Sequence, residues 1–169
     1  LAQRLAGALA VKGLKDPEYQ PLDAVVFDDD FMRETAASDD WKPVTGRWSV
    51  EAAEGKPEMG ANPFDYVADD PGQSISTIGN WFWSDYALEA AVRPAGEAVG
   101  LIAAYTSPED YVLLRLSFAT QPAKLQLVRR LGGQDKLLAA KPVDRQKGDW
   151  QRLGLRTSGG ALLGLLDDE

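Results

Sequence analysis

The sequence predicts an all-β protein: a two-sheet antiparallel β-sandwich behind a short N-terminal segment, helical or irregular. Three observations carry that expectation. From Val25 onward, short apolar stretches of similar length recur, separated by turn residues. No run with the helical apolar period stands between them. In the middle of the chain the apolar positions alternate, as they do in a strand with one buried face.

Taken in order, residues 1–24 open with "LAQRLAGALAVKG", where Leu1, Leu5, Ala8 and Leu9 fall on one helical side. An amphipathic helix or linker is expected there, since the charged start and cleavage site of a signal peptide are lacking. The sandwich is expected over 25–169. "VVFDDDF" (25–31) reads as a short apolar strand ending in acids. The Pro- and Gly-punctuated stretch 39–60 holds one strand, Arg47 to Glu51. "NPFDYVADDPGQ" (62–73) reads as a loop leading into the β-leaning "SISTI". Seven runs follow: Tyr86–Arg93, Val99–Thr106, Tyr111–Phe118, Lys124–Leu131, Leu137–Lys141, Trp150–Thr157 and Ala161–Leu166. Their connectors are "PAGE", "SPED", "TQPA", "GGQD", "DRQKGD" and "SGG".

The central strands can be given a register. If "PAGE" pairs Arg93 with Ala98 and "SPED" pairs Thr106 with Tyr111, three adjacent strands share one apolar face. That face holds Tyr86, Leu88, Ala90 and Val92; Val99, Leu101, Ala103 and Tyr105; Val112, Leu114, Leu116 and Phe118. A slip of one residue would turn each set outward, so this face is the expected core. The opposite face carries small residues around one row, Glu89, Ile102 and Arg115, with the two charges about 9–10 Å apart at the backbone. A merely solvated face would carry more polar residues, so this row is the candidate groove.

Composition bounds the function. The chain has 169 residues, 44% of them hydrophobic, and a net charge of −8. That charge opposes binding to nucleic acid or an anionic membrane surface. No run of 18 or more apolar residues marks a membrane-spanning helix. Cysteine and histidine are absent, which excludes a disulfide framework, a Ser–His–Asp triad and zinc sites built on those ligands. A metal, if any, would be oxygen-bound, such as calcium.

Several stretches in order, "VVFDDDFMRE", "GRWSVE", "WSDYALEAAVRP", "AVGLIAAYTSPEDYVLLRLSF", "LQLVRRLGG" and "GDWQRLGLRTSGGALLGLLDDE", resemble the concanavalin A-like lectin/glucanase jelly roll, in its laminin-G-like and 3-keto-disaccharide-hydrolase-type branch. The resemblance covers about residues 25–169 and consists of strand-edge patterns, which bear on fold more than on activity. It implies two packed sheets, carbohydrate on a concave face, and calcium in some members. Such domains add two further strands after the last hairpin. The chain begins at Leu1 and ends at Glu169 directly after an apolar run, so a piece of a longer chain, or a sheet completed by another subunit, is expected.

The candidate site residues follow. Trp81 and Trp83 would share one side of a strand, as a sugar platform or as packing at the core's rim. Trp41, Trp48 and Trp150 are expected in the core. Asp28, Asp29 and Asp30 are either calcium ligands or caps on neighbouring amides. Glu89 with Arg115 is either a surface ion pair or the polar centre of a groove that grips a carboxylate or sugar hydroxyls. Glycoside hydrolysis would need a second carboxyl beside Glu89, from Asp85 or Glu109. Lys124, Arg129 and Arg130 are expected to solubilise an edge strand. The reading that results is a non-catalytic lectin-like module of a larger, exported protein, extracellular or periplasmic, binding carbohydrate or a protein partner. A glycoside-acting hydrolase domain and a purely structural domain are the alternatives.

Overall fold

A computed structural model describes residues 9–10, 25–32, 40–53, 63–70, 74–80 and 82–169. Among these the protein is all-β: twelve strands in antiparallel sheets, and no helix. The strands are β1 (Leu9–Ala10), β2 (Lys42–Thr45), β3 (Trp48–Ala52), β4 (Phe64–Ala68), β5 (Ile75–Thr77), β6 (Ala87–Val92), β7 (Ala98–Ser107), β8 (Asp110–Ser117), β9 (Ala123–Leu131), β10 (Gln134–Val143), β11 (Gln151–Ser158) and β12 (Ala161–Leu166). The chain divides into two compact units, residues 1–22 with 81–169 and residues 23–80.

The larger unit is a sandwich of two four-stranded sheets, ordered β1-β12-β11-β6 and β10-β9-β8-β7. Leucine at alternate positions builds its core. Leu114 and Leu116 of β8, Leu127 of β9 and Leu153 of β11 are fully buried, and Leu101, Leu125 and Leu155 join them in one cluster. Each such side chain contributes about 1.5–3 kcal/mol relative to an exposed one. The layers meet closely at Gly164 of β12, where any Cβ would overlap Leu114 Cδ1 of the other sheet.

The twelve residues expected on one apolar face do not all lie on one sheet. β6 pairs with β11, and β7 begins the other sheet, so "PAGE" carries the chain between layers instead of closing a hairpin. Tyr86, Leu88, Ala90 and Val92 still pack on the core, from the opposite side to Leu101 and Leu114. Alternation reports which face is buried, and a sandwich has two sheets that can supply one core.

Between β7 and β8 the register shifts. Ser107 pairs with Asp110 as the turn predicts, but Ala103 pairs with Val112 and Gly100 with Arg115. A bulge absorbs the difference at Ala104, which has φ 50°. The freed Ala104 amide donates to the Tyr86 hydroxyl at 3.1 Å, so the bulge is satisfied from the facing sheet. Beyond it Tyr105 stacks with Tyr111, ring centroids 6.3 Å apart, and does not join the core cluster.

The smaller unit is two two-stranded ribbons, β2 with β5 and β3 with β4, around an aromatic cluster. Tyr66 stacks on Phe31 at 5.1 Å and on Trp48 at 4.8 Å, and Trp41 lies 5.3 Å from Tyr66. Its hydroxyl shares a 2.9 Å hydrogen bond with Ser76 Oγ.

Further expectations need correction. Residues 25–31 form no strand, and the stretch read as a loop contains β4. Pro63 and the flanking acids mask the apolar alternation of Phe64, Tyr66 and Ala68. Leu9, expected in a helix, belongs to β1 and pairs with Gly164; the rest of that expected helix lies outside the described residues. β9 is a central strand, so Lys124, Arg129 and Arg130 do not guard an edge. Trp41 and Trp48 pack among aromatics, whereas Trp150 is 54% exposed with the Arg93 guanidinium 5.4 Å over its ring.

Candidate functional site

The expected row of Glu89, Ile102 and Arg115 is not formed. Glu89 lies on β6, opposite Gly154, with its side chain pointing away from the core. Arg115 lies on β8, between the buried Leu114 and Leu116, and points away from the core on the other sheet. The two charges are on opposite outer faces of the sandwich. Ile102 pairs with Leu113, not Arg115, and heads an apolar row that continues through Val128 to Leu137.

Each charge has its own surroundings. Glu89 Oε2 accepts from Arg152 Nη2 at 2.7 Å, and Asp168 stands 3.7 Å from Nη1 of the same guanidinium. Both carboxylates are thus counter-ions of one arginine and do not flank an open cleft. These contacts raise the Arg152 pKa above the usual arginine value, through the Glu89 hydrogen bond first. Asp85 accepts the Gly159 amide at 2.6 Å, and the Glu109 amide donates to Ser107 Oγ. Neither is seen beside Glu89.

Trp83 is half-buried and precedes β6 in a non-strand stretch; its neighbour Phe82 is 62% exposed. Trp81 lies outside the described residues. Asp29 Oδ1 accepts from the Phe31 amide at 2.8 Å and Oδ2 from Trp41 Nε1 at 2.8 Å, while Asp30 Oδ1 accepts from the Met32 amide at 3.0 Å. These carboxylates hold backbone turns and a tryptophan, the amide-capping role expected as the alternative to calcium, and no group of three or more Asp or Glu side chains that could hold a metal ion occurs among the described residues.

Arg115 belongs to a different site. On the outer face of the β7–β10 sheet, strand pairing puts Arg115 beside Gln126 and Ser117 beside Lys124, with Ala98 completing the second row. With Glu97, Ala119 and Thr120 these residues line a shallow recess of about 330 Å³, at the small end of ligand pockets. Small side chains make the space: Ala98, Ser117 and Ala119 keep the floor low. Gly100, directly across from Arg115, has no room for a Cβ, which would strike the Leu114 carbonyl.

The polar groups are held. Arg115 Nε donates to Gln126 Oε1 at 2.9 Å. Ser117 Oγ accepts the Ala119 amide at 3.5 Å, and Thr120 Oγ1 donates to the Pro122 carbonyl at 3.2 Å. The Phe118 amide donates to the Glu97 carbonyl at 2.8 Å and fixes the rim. The sequence marked Arg115 and the small-residue face. Ser117 shares its strand face with Arg115 in the assumed register too, whereas Gln126 and Lys124 were missed as site residues because they come from β9, which that register did not include.

No family model, curated protein or solved structure matches the chain.

Proposed function

We propose that the protein is a non-catalytic, lectin-like β-sandwich module that holds a carbohydrate in the recess on the outer face of β7, β8 and β9. One observation carries the reading. Arg115, Gln126, Ser117, Lys124, Thr120 and Glu97 surround a single recess, most of them on paired strands of one sheet. Guanidinium, amide, hydroxyl and carboxylate groups together offer the mixed donors and acceptors that sugar hydroxyls need. A rigid strand platform keeps them in place without ordering a loop on binding. The antiparallel sandwich agrees with the concanavalin A-like resemblance in the sequence. On that reading the module works in an exported protein, outside the cytoplasm.

The reading is non-catalytic because glycoside hydrolysis uses two carboxyls across the scissile bond, and the recess lining contains one, Glu97. A panel of neutral and acidic oligosaccharides, followed by backbone and side-chain amide NMR shifts, tests it. Perturbation centred on the Gln126 side-chain amide and on Ser117 is expected. A panel without a single binder at millimolar sugar would refute the reading.

A further inference from the structure

We infer that the recess selects a sugar carrying a carboxylate, a uronate over the neutral hexose of the same configuration; the inference rests on the carbohydrate-binding reading above. The lining holds two cations, Arg115 and Lys124, and one acid, Glu97, a local balance of +1 (two minus one) on a chain of net charge −8. Among the described residues neither cation has a carboxylate partner, whereas Arg47, Arg130, Arg145 and Arg152 each have one. Arg115 thus stands in a recess with no carboxylate partner among the described residues.

Arg115 is half-buried and lines the recess, so an arriving carboxylate meets a cation that has no other carboxylate to compete for it among the described residues. The Gln126 amide engages Nε and so fixes the plane of the fork. The two terminal nitrogens remain to meet a carboxylate through parallel hydrogen bonds, the geometry that arginine provides and lysine does not. Lys124, in the adjacent row beside Ser117, adds a second positive charge. Glu97 at the rim sets the orientation, because it accepts hydroxyls and repels a second anion. The fitting ligand is therefore a sugar with its charge at one end, not a uniformly charged polyanion.

The test is calorimetric titration of the whole chain with matched pairs of disaccharides, each ending in a uronic acid or its hexose, in gluco, galacto and manno configuration. Glutarate serves as a carboxylate without a sugar. At least one uronate is expected to bind about ten-fold or more tightly than its neutral partner, a preference of about 1.4 kcal/mol, and the preference should shrink as salt is added. Arg115→Gln should remove the preference and Arg115→Lys restore part of it. Folding of each variant is checked by its melting curve. Equal binding within every pair overturns the charge selection while carbohydrate binding stands. Glutarate binding as tightly as the uronates, or a preference that survives in a folded Arg115→Gln variant, also overturns it. If not one of the sugars binds, both readings fall.

Discussion

Replacing Gly164 by alanine inserts one methyl group where β12 faces the other sheet, and the structure says what it meets. The new Cβ would overlap Leu114 Cδ1, with Cδ2 at 3.4 Å and Cγ at 3.5 Å. Leu114 is fully buried, so its side chain has no solvent to swing into. Overpacking of this kind costs about 1–3 kcal/mol, and about 2 kcal/mol is expected for Gly164→Ala. Leu114→Ala removes the obstructing atoms and leaves a cavity, for about 3 kcal/mol. If the two positions were independent, the double variant would lose about 5 kcal/mol. They touch, and the alanine methyl would fill part of the cavity that the leucine leaves. A favourable coupling of about 1–2 kcal/mol is therefore expected, within the range for contacting residues. Urea unfolding of the four proteins at constant slope supplies the cycle. Strict additivity, or a Gly164→Ala variant as stable as the parent, would refute the packing of these two sheets face to face.

Three further outcomes are expected. Glu89→Gln should change stability by less than about 1 kcal/mol, since its pair with Arg152 is exposed, and it should leave sugar affinity unchanged, because Glu89 and the recess lie on opposite faces; titration calorimetry and urea midpoints check both. Tyr105 ionises above its ordinary value of 10, through burial first and the neighbouring Tyr111 second. A folded-state pKa raised in this way stabilises the protein fully below pH 10, and that contribution disappears as pH rises through the raised pKa; Tyr105→Phe should flatten the alkaline limb of the stability profile, and an unchanged limb would count against it. Asp29→Ala removes acceptors from the Phe31 amide and Trp41 Nε1 and should cost about 2 kcal/mol, read from tryptophan fluorescence during unfolding; a rise in the parent's midpoint on adding calcium, lost in Asp29→Asn, would reinstate the metal reading.

The sequence disclosed faces better than neighbours. Alternation identified Leu88, Leu101 and Leu114 as inward-facing, and each is, because a buried face needs apolar residues whatever strand lies alongside. Pairing depends on where the chain goes next, and "PAGE" reads equally as a tight turn or as a crossing between sheets. That ambiguity put Glu89 and Arg115 in one row across β7, when β6 pairs instead with β11 in the other sheet. The Ala104 bulge moved the β7–β8 register by two residues, which preserves the faces but replaces Ile102 with Gly100 opposite Arg115. Gln126 and Lys124 became visible as site residues only once β9 was known to lie next to β8. The Asp28–Asp30 cluster illustrates a different limit: acid residues close in sequence say nothing of where their oxygens point, and here two of them hold local amides.

The bulge also supplies a reporter. The Ala104 amide belongs to an exposed residue at an irregular point of β7, where rapid exchange with solvent deuterium would ordinarily be expected. Its acceptor, the Tyr86 hydroxyl, comes from the segment leading into the opposing sheet. That proton can therefore be shielded only while the two layers stay together, so its exchange rate reads the separation of the sheets and not the fraying of either one.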